Sequence, residues 1–315
     1  MPVVALNARV MNNFRSLLGV VVALNALSLC HAQTSADTIK IQLDSILERD
    51  GFRHSGDTAT LNAVAQYIED EFENSGGSVR RQSYFVGDFE YHNIITNVGD
   101  SSKPMIVIGA HYDVCGNQKG ADDNGTGVVG LLQAVDQLQD YTGDYYLEFV
   151  AYTLEEPPHY NTHNMGSYVH SKSLKEDSVD VHGMICLEMI GYFSDEKKSQ
   201  SYPIGILKAI YGGKGDYITL VRKLNKGKLV RKFTKGFRKT KNIKTKKFTA
   251  PKSLTGVDFS DHRSYWQFGY DALMITDTAF YRNRNYHEPT DTVETIDFKR
   301  MAKVIDSLIS GIKSI

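Results

Sequence analysis

The stretch "PMIVIGAHYDVCGNQKGADDNGTG", residues 104–127, decides how this chain reads. It opens on an apolar run of the kind that forms a strand buried on both faces. The chain then leaves the strand and gathers His111, Asp113, Asp122 and Asp123 among five glycines within residues 109–127. Glycine permits the tight and left-handed turns that bring several polar side chains close together. An amphipathic helix, "GTGVVGLLQAVDQLQ", follows. The polar loop therefore joins the carboxyl end of a strand to a helix, which is where functional groups collect in open α/β sheets.

The same alternation extends in both directions. Ile39, Ile41, Leu43, Ile46 and Leu47 suggest a helix over residues 34–47, and "DTATLNAVAQYIEDEFENSGG" a second from about Thr58, ended by Gly76 and Gly77. "VRRQSYFV", "YHNIITNV", "YYLEFVAYT", "GMICLEMIGYF" and "DALMITDTA" read as strands, and "DFKRMAKVIDSLISGI" as a closing helix. This pattern predicts an α/β fold: three layers, α/β/α, around a central mixed, mostly parallel β-sheet. No repeat or linker divides residues 33–315, which are expected to form one catalytic domain.

The first 32 residues read differently. "MNNFRSLLGVVVALNALSLCHAQ" has a basic start at Arg15, an apolar stretch from Leu17 to Leu29 and the small Ala32 before Gln33. That is the layout of a secretory signal peptide, with Met11 as an alternative start and a membrane anchor as the alternative reading. Export to the periplasm or outside the cell is expected, with no stable membrane association after cleavage. Cleavage would leave 34 basic against 37 acidic residues. That near balance argues against a dedicated nucleic-acid binder. Cys115 and Cys186 remain, too few for a disulfide framework, and read as two thiols rather than a bridge. Residues 221–252 hold many lysines and arginines and no acid. They read as a helix with a basic, solvated outer face, with nucleic-acid or anionic-surface binding as the alternative.

Other strand ends carry further candidates. Glu155 and Glu156 follow "YYLEFVAYTL", Glu188 ends "GMICLE", and His287 lies in "NYHEPTDT" after the last strand. Each signal is weak alone. Together they are not, because carboxylates buried at this density repel one another and protonate unless a cation neutralises them. Imidazole with carboxylate is a ligand set suited to zinc.

H-x-D, A-D-D-N-G-x-G, E-E, E-M-I-G and Y-H-x-P-x-D-T, in this order and spacing, resemble the co-catalytic dizinc exopeptidases. That family includes secreted bacterial aminopeptidases, glutamate-carboxypeptidase-like enzymes and glutaminyl cyclases. The resemblance covers most of residues 50–315 and implies a peptide substrate and two Zn2+, with other divalent ions possible. It implies that Asp122 bridges the metals, with Asp123 as the alternative. One zinc would add His111 and Glu188, the other Glu156 and His287. Glu155 would be the general base, Asp113 would fix the tautomer of His111, and Tyr286 would help hold the oxyanion. Cys115 is discounted as a ligand, and Asp261 and His262 are read as structural. Substrate preference is expected to come from an apolar wall formed by "RSYWQFGY" and "FYRNRNY". A single-zinc glutaminyl cyclase, a carboxypeptidase-type member and an inactive binding relative are the alternatives.

Overall fold

A computed structural model of the chain describes residues 34–225, 227–251 and 253–315. The signal-peptide reading of residues 1–32 lies outside them. Helix α1 (Ala36–Leu47) starts at Ser35, whose Oγ accepts from the Thr38 amide. Helix α2 (Thr58–Asn74) starts at Asp57, which accepts from the amide of Thr60 at 3.1 Å. Both caps satisfy backbone donors that a helix leaves open at its first turn.

Eight strands form one sheet: β1 (Val79–Val86), β2 (Phe89–Val98), β3 (Met105–His111), β4 (Tyr146–Tyr152), β5 (Val181–Glu188), β6 (Ile218–Lys223), β7 (Thr245–Ala250) and β8 (Ala272–Thr276). Their order is β1-β2-β4-β3-β5-β8-β6-β7. The pairs β3/β4, β3/β5, β5/β8 and β6/β7 are parallel. The pairs β1/β2, β2/β4 and β6/β8 are antiparallel. The sheet is thus mixed and mostly parallel, as its sequence pattern predicts.

Strand period separates two cores. Ile106, Ile108 and Ala110 of β3 point into the larger, with Ile39 and Leu43 of α1, Leu61 and Ile68 of α2, and Val128 and Leu131 of helix α3 (Gly127–Gln137). Helix α6 (Lys228–Lys239) and helix α8 (Phe298–Lys313) cover the rest of that face through Phe233, Phe237, Val304 and Leu308. Met105 and Val107 point the other way, into a cluster with Val150, Met184, Cys186 and Tyr265. Helix α4 (Gly166–Glu176) and the short helix α7 (His262–Gln267) lie on that side. One further short helix, α5 (Leu207–Tyr211), sits outside the sheet's core. Burying each aliphatic side chain contributes about 1.5–3 kcal/mol before the entropy of ordering is counted. Among the described residues, no helix is long and apolar enough to cross a membrane.

The basic stretch departs from its reading. Only its middle is helical, as α6, and its flanks are the strands β6 and β7. Strand β7 closes one edge of the sheet, where lysines discourage pairing with another chain.

A buried polar chain ties α4 and α7 to the sheet. His170 lies 3.1 Å from Glu148 through Nε2 and 2.6 Å from the Tyr265 hydroxyl through Nδ1. That hydroxyl lies 2.7 Å from the hydroxyl of Tyr152. Burial pushes the Glu148 carboxyl up, but His170, Asn97 and Arg80 outweigh it and hold it at about 2. A carboxylate with a depressed native pKa stabilises the fold above its ordinary pKa, and that contribution is lost as pH falls towards 2. His170→Ala should cost about 3 kcal/mol, since removing one partner strands a buried charge while Arg80 and Asn97 remain. Thermal unfolding at neutral pH would measure it, and an unchanged midpoint would show that the chain of contacts contributes nothing.

Candidate metal centre

Four of the sequence candidates occupy the ends or exits of neighbouring parallel strands. His111 ends β3, Glu188 ends β5, and Glu155 and Glu156 follow β4. In the structure they meet around Asp123. His111 Nε2 lies 3.3 Å from Glu188 Oε2 and 3.7 Å from Asp123 Oδ1. His287 Nε2 lies 3.2 Å from the other oxygen of Asp123 and 3.2 Å from Glu156 Oε2. One carboxylate therefore faces two imidazoles, and each imidazole has a glutamate of its own.

The backbone under these side chains is held by two further aspartates. Asp113 accepts from the amides of Glu155 and Glu156, at 3.1 and 3.0 Å. Asp291 accepts from the amides of Asp122 and Asp123, both at 3.0 Å. Asn124 joins the loop to the end of β5, donating to the Leu187 carbonyl and accepting from the amide of Met189. Ser260 donates to Glu188 at 2.6 Å. The buried Arg53 donates to the carbonyls of Lys119 and Gly120, closing the start of the loop. Gly120 has φ +59, and a Cβ there would lie 2.2 Å from the Asp123 carbonyl oxygen. This turn requires glycine.

The site is electrostatically crowded. Burial raises Glu155 well above the usual carboxylate range, helped by the charges of Glu156 and Glu188. Burial and the charge of Asp123 push Glu156 up to about 8. For Asp123, burial is outweighed by the close approach of His287 and the charges of both imidazoles, which hold it below its ordinary value. Burial and the charge of Asp122 push Asp291 up to about 7.

The donors suit a bound cation. Asp123 Oδ2, Glu156 Oε1 and His287 Nε2 are buried without a hydrogen-bond partner, although the first and last lie 3.2 Å apart. Ligands about 2.0–2.2 Å from a shared ion in a tetrahedral shell stand about 3.3–3.6 Å from one another. The separations around Asp123 run from 3.2 to 3.7 Å. His111, Asp123 and Glu156 form one compact donor group, and Cys115, Glu156 and His287 another. Cys115, discounted from sequence, is thus part of the cluster, although burial and the charge of Glu156 push its thiol up to about 11. Both Cys115 and Cys186 are free thiols.

The structure corrects the position of Asp122. Its Oδ1 accepts from the Gly191 amide at 3.0 Å and from Thr126 at 3.2 Å, and its Oδ2 from Asn283 at 2.9 Å. Asp122 also lies against Asp277, and burial with that neighbour's charge raises it well above its usual range. Its carboxylate is used up in fixing the loop, and Asp123 stands between the imidazoles. Asp113 Oδ1 lies 3.5 Å from His111 Nδ1, although that nitrogen is nearer the Asp113 backbone carbonyl at 3.2 Å. Asp291, which lies within the last motif without an assigned role, and Arg53, 66 and 67 positions before the carbonyls it binds, were missed. A lone arginine in "GFRHSG" offers no signal in sequence.

Tyr286 stacks on His287 with ring centroids 3.8 Å apart, and burial keeps its phenol protonated. With Glu188 it lines a cleft that has a volume of about 760 Å3, including its open mouth. Phe280 and Tyr281 line it as expected, but "RSYWQFGY" does not. Tyr265 is engaged in the buried chain above, and Trp266 donates to the Ala272 carbonyl. Phe259, Tyr202, Tyr217 and Phe248 supply the wall instead. Asp261 is buried with neither oxygen hydrogen-bonded, and burial pushes it to about 7. Burial lowers the His262 imidazole to about 4, and its Nε2 contacts the Val257 carbonyl at 2.8 Å, away from the cluster.

Residues 93–311 match Peptidase family M28. An uncharacterized Escherichia coli K12 protein, YfbL, is 37% identical over 266 residues, covering 82% of this chain and 81% of that protein. A probable leucine aminopeptidase of Arthroderma otae is 24% identical over 294 residues, with 87% and 72% covered. Among solved structures, BSAP, a zinc aminopeptidase from Bacillus subtilis, shares the fold with a TM-score of 0.69 at 14% identity. That likeness covers 89% of this chain and 94% of the other.

The geometry predicts opposite outcomes for adjacent aspartates. Asp123→Asn should weaken zinc binding by more than the roughly 10–100-fold typical of a group behind a ligand, whereas Asp122→Asn should stay within that range. Zinc titration of both purified variants would check this, and the reverse ranking would return the bridge to Asp122.

Proposed function

The chain belongs to peptidase family M28, and on that premise we propose that it is an exported aminopeptidase holding two zinc ions. One set of donors is His111, Asp123 and Glu188, and the other is His287, Asp123 and Glu156. The observation that carries the reading is the single Asp123 carboxylate facing two imidazoles, each with its own glutamate. The donor chemistry is that of zinc, and other divalent ions suit the same oxygen-rich set. The signal-like residues before Thr34 support export.

Bound zinc ions supply Lewis acidity, which acidifies water and polarises a carbonyl. The residues of the chain do the rest. Glu155 takes the proton of the attacking water and returns it to the departing amine, so one carboxylate serves as base and then acid. Its placement follows from Asp113, which fixes the amides of Glu155 and Glu156 together, so one glutamate can face the water while the next faces the metal. Tyr286, protonated and stacked on His287, donates to the developing oxyanion. Cleavage at the amino end is in keeping with the aminopeptidase named among the relatives.

The cleft wall selects the side chain. Phe259, Phe280, Tyr286 and Met274 present apolar and aromatic surface next to Glu188. A large apolar N-terminal residue would bury most area there, in keeping with the leucine preference named for the fungal relative.

Glu155→Gln should keep the metal content of the parent and lose about 10²–10⁴-fold in peptide hydrolysis. Metal analysis beside a rate assay checks it, and loss of metal together with activity would make Glu155 a ligand. Chelation should abolish hydrolysis of a peptide library and zinc should restore it, with mass spectrometry showing stepwise loss of apolar N-terminal residues. Loss from the carboxyl end would indicate a carboxypeptidase. Cyclised N-terminal glutamine without hydrolysis would indicate a cyclase, and activity surviving exhaustive chelation would end the metal mechanism.

A further inference from the structure

The β6-α6-β7 segment carries a second charged site, on the opposite face of the sheet from the cleft. Residues 221–252 hold 14 lysines and arginines and no acid, leaving 22 basic against 37 acidic residues in the rest of the chain. Strand alternation sorts them. Thr219, Val221, Lys246 and Phe248 face the aromatic cleft, whereas Arg222 and Lys247 face α6. There, four outward residues of α6, namely Arg231, Lys235, Arg238 and Lys239, join Arg222 and Lys247 around one concavity.

The floor of this concavity is what distinguishes it from an ordinary solvated basic face. Arg222 is 7% exposed and Thr234 is 5% exposed, and both line it. One Arg222 amino group donates to Thr249 Oγ1 at 2.7 Å, but its Nε is buried without a partner. Thr234 Oγ1 is likewise buried and unpartnered. Buried polar groups in native proteins are hydrogen-bonded in the great majority, so an orphaned guanidinium N–H beside an orphaned hydroxyl calls for an acceptor. None of Lys235, Arg238 and Lys239 is ion-paired to a carboxylate among the described residues. Burial and the like charge of Arg238 lower the Arg222 guanidinium. Such a concentration of like charge repels itself unless an anion enters.

We propose that Arg222, Thr234 and the surrounding cations form a binding site for a phosphorylated anion, either a lipid phosphate headgroup or a free polyphosphate. The guanidinium fork of Arg238 matches the geometry of phosphate oxygens, and the ammonium groups of Lys235 and Lys239 supply point charge around it. The hydroxyl of Thr234 and the Nε–H of Arg222 supply neutral and charged donors at the floor. A phosphate carries close to two charges at neutral pH and several strong acceptor oxygens, enough to engage floor and rim together. The reading is independent of the metal centre, since none of these residues lines the cleft.

The test uses the full mature chain in two arms. Pyrophosphate is titrated by calorimetry, and retention is compared on phosphatidylglycerol and phosphatidylcholine vesicles. Pyrophosphate binding with a Kd at or below about 1 mM in low salt is expected, or selective retention on the anionic vesicles. Arg238→Glu with Lys239→Glu should weaken either about tenfold or more and leave peptide hydrolysis unchanged. Arg222→Gln with Thr234→Val tests the floor, and the exposed double variant keeps the test open if that pair fails to fold. Pyrophosphate binding alone assigns a free phosphate ligand, and vesicle retention alone assigns a headgroup. No response in either arm, or binding that the charge reversal leaves intact, overturns the proposal.

Discussion

Two buried aspartates, each accepting two consecutive backbone amides, are the constraint on which the metal centre rests. Asp113 holds Glu155 and Glu156, and Asp291 holds Asp122 and Asp123. A carboxylate suits this role because both of its oxygens only accept, whereas an asparagine would turn an N–H2 group against one of the two amides. In each pair, adjacent side chains diverge from a fixed backbone. Glu156 reaches His287 while Glu155 stays beside it, and Asp123 reaches both imidazoles while Asp122 turns to Gly191 and Asn283. One anchoring device thus produces a division of labour twice.

The cost of this arrangement is charge. Asp113 and Asp291 are themselves buried beside the carboxylates they position, and the buried Arg53 faces several of them. Burial lowers it to about 10, against the raising influence of Asp291 and Asp123. Its donors go to carbonyls, not to a carboxylate, so it offsets the field without withdrawing a ligand. Two imidazoles and one guanidinium do not balance so many acids, which is why burial and mutual repulsion raise Glu155, Glu156 and Glu188. Divalent cations held by these donors would bring the missing positive charge to the place where it is lacking.

The sheet and the strand ends were legible because they depend on local pattern: apolar runs, glycine turns and helix periodicity all act over a few residues. The choice between Asp122 and Asp123 was not. Both follow the same turn, and what separates them is contact with Gly191 and Asn283, residues up to 161 positions away. Strands β6 and β7 escaped notice for another reason. Lysines at an edge obscure the apolar alternation by which strands are read, and α6 between them supplied a helical period that seemed to account for the whole stretch. Helix α4, "GSYVHSKSLKE", buries His170, Ser167 and Ser171 toward polar partners, so its inward face is not apolar and lacks the usual stripe. The cleft wall was half legible: "FYRNRNY" follows β8 directly into the site, whereas Tyr202, Tyr217 and Phe248 reach it through sheet order alone.

Net charge hid the other half of the molecule's electrostatics. A near balance of acids and bases is a sum over the chain, while the field a ligand meets is local, because salt screens exposed charges beyond about 8–10 Å. The acids concentrate at the strand ends around Asp123, and 14 bases concentrate in 32 consecutive residues. Topology then keeps the two apart. Strand β6 runs antiparallel to β8, so Thr219 lies beside Thr276 at the cleft while Arg222 lies beside Leu273, towards the opposite rim. Lys246 and Lys247 are neighbours in sequence, yet one enters the aromatic cleft and the other faces α6, because successive side chains of a strand point to opposite faces. A shift of one residue in the β6/β7 register would exchange them, and with them would take Phe248 out of the cleft wall and turn Thr249 away from Arg222. The register of a single edge pair therefore sets both the aromatic wall of the cleft and the floor of the basic concavity.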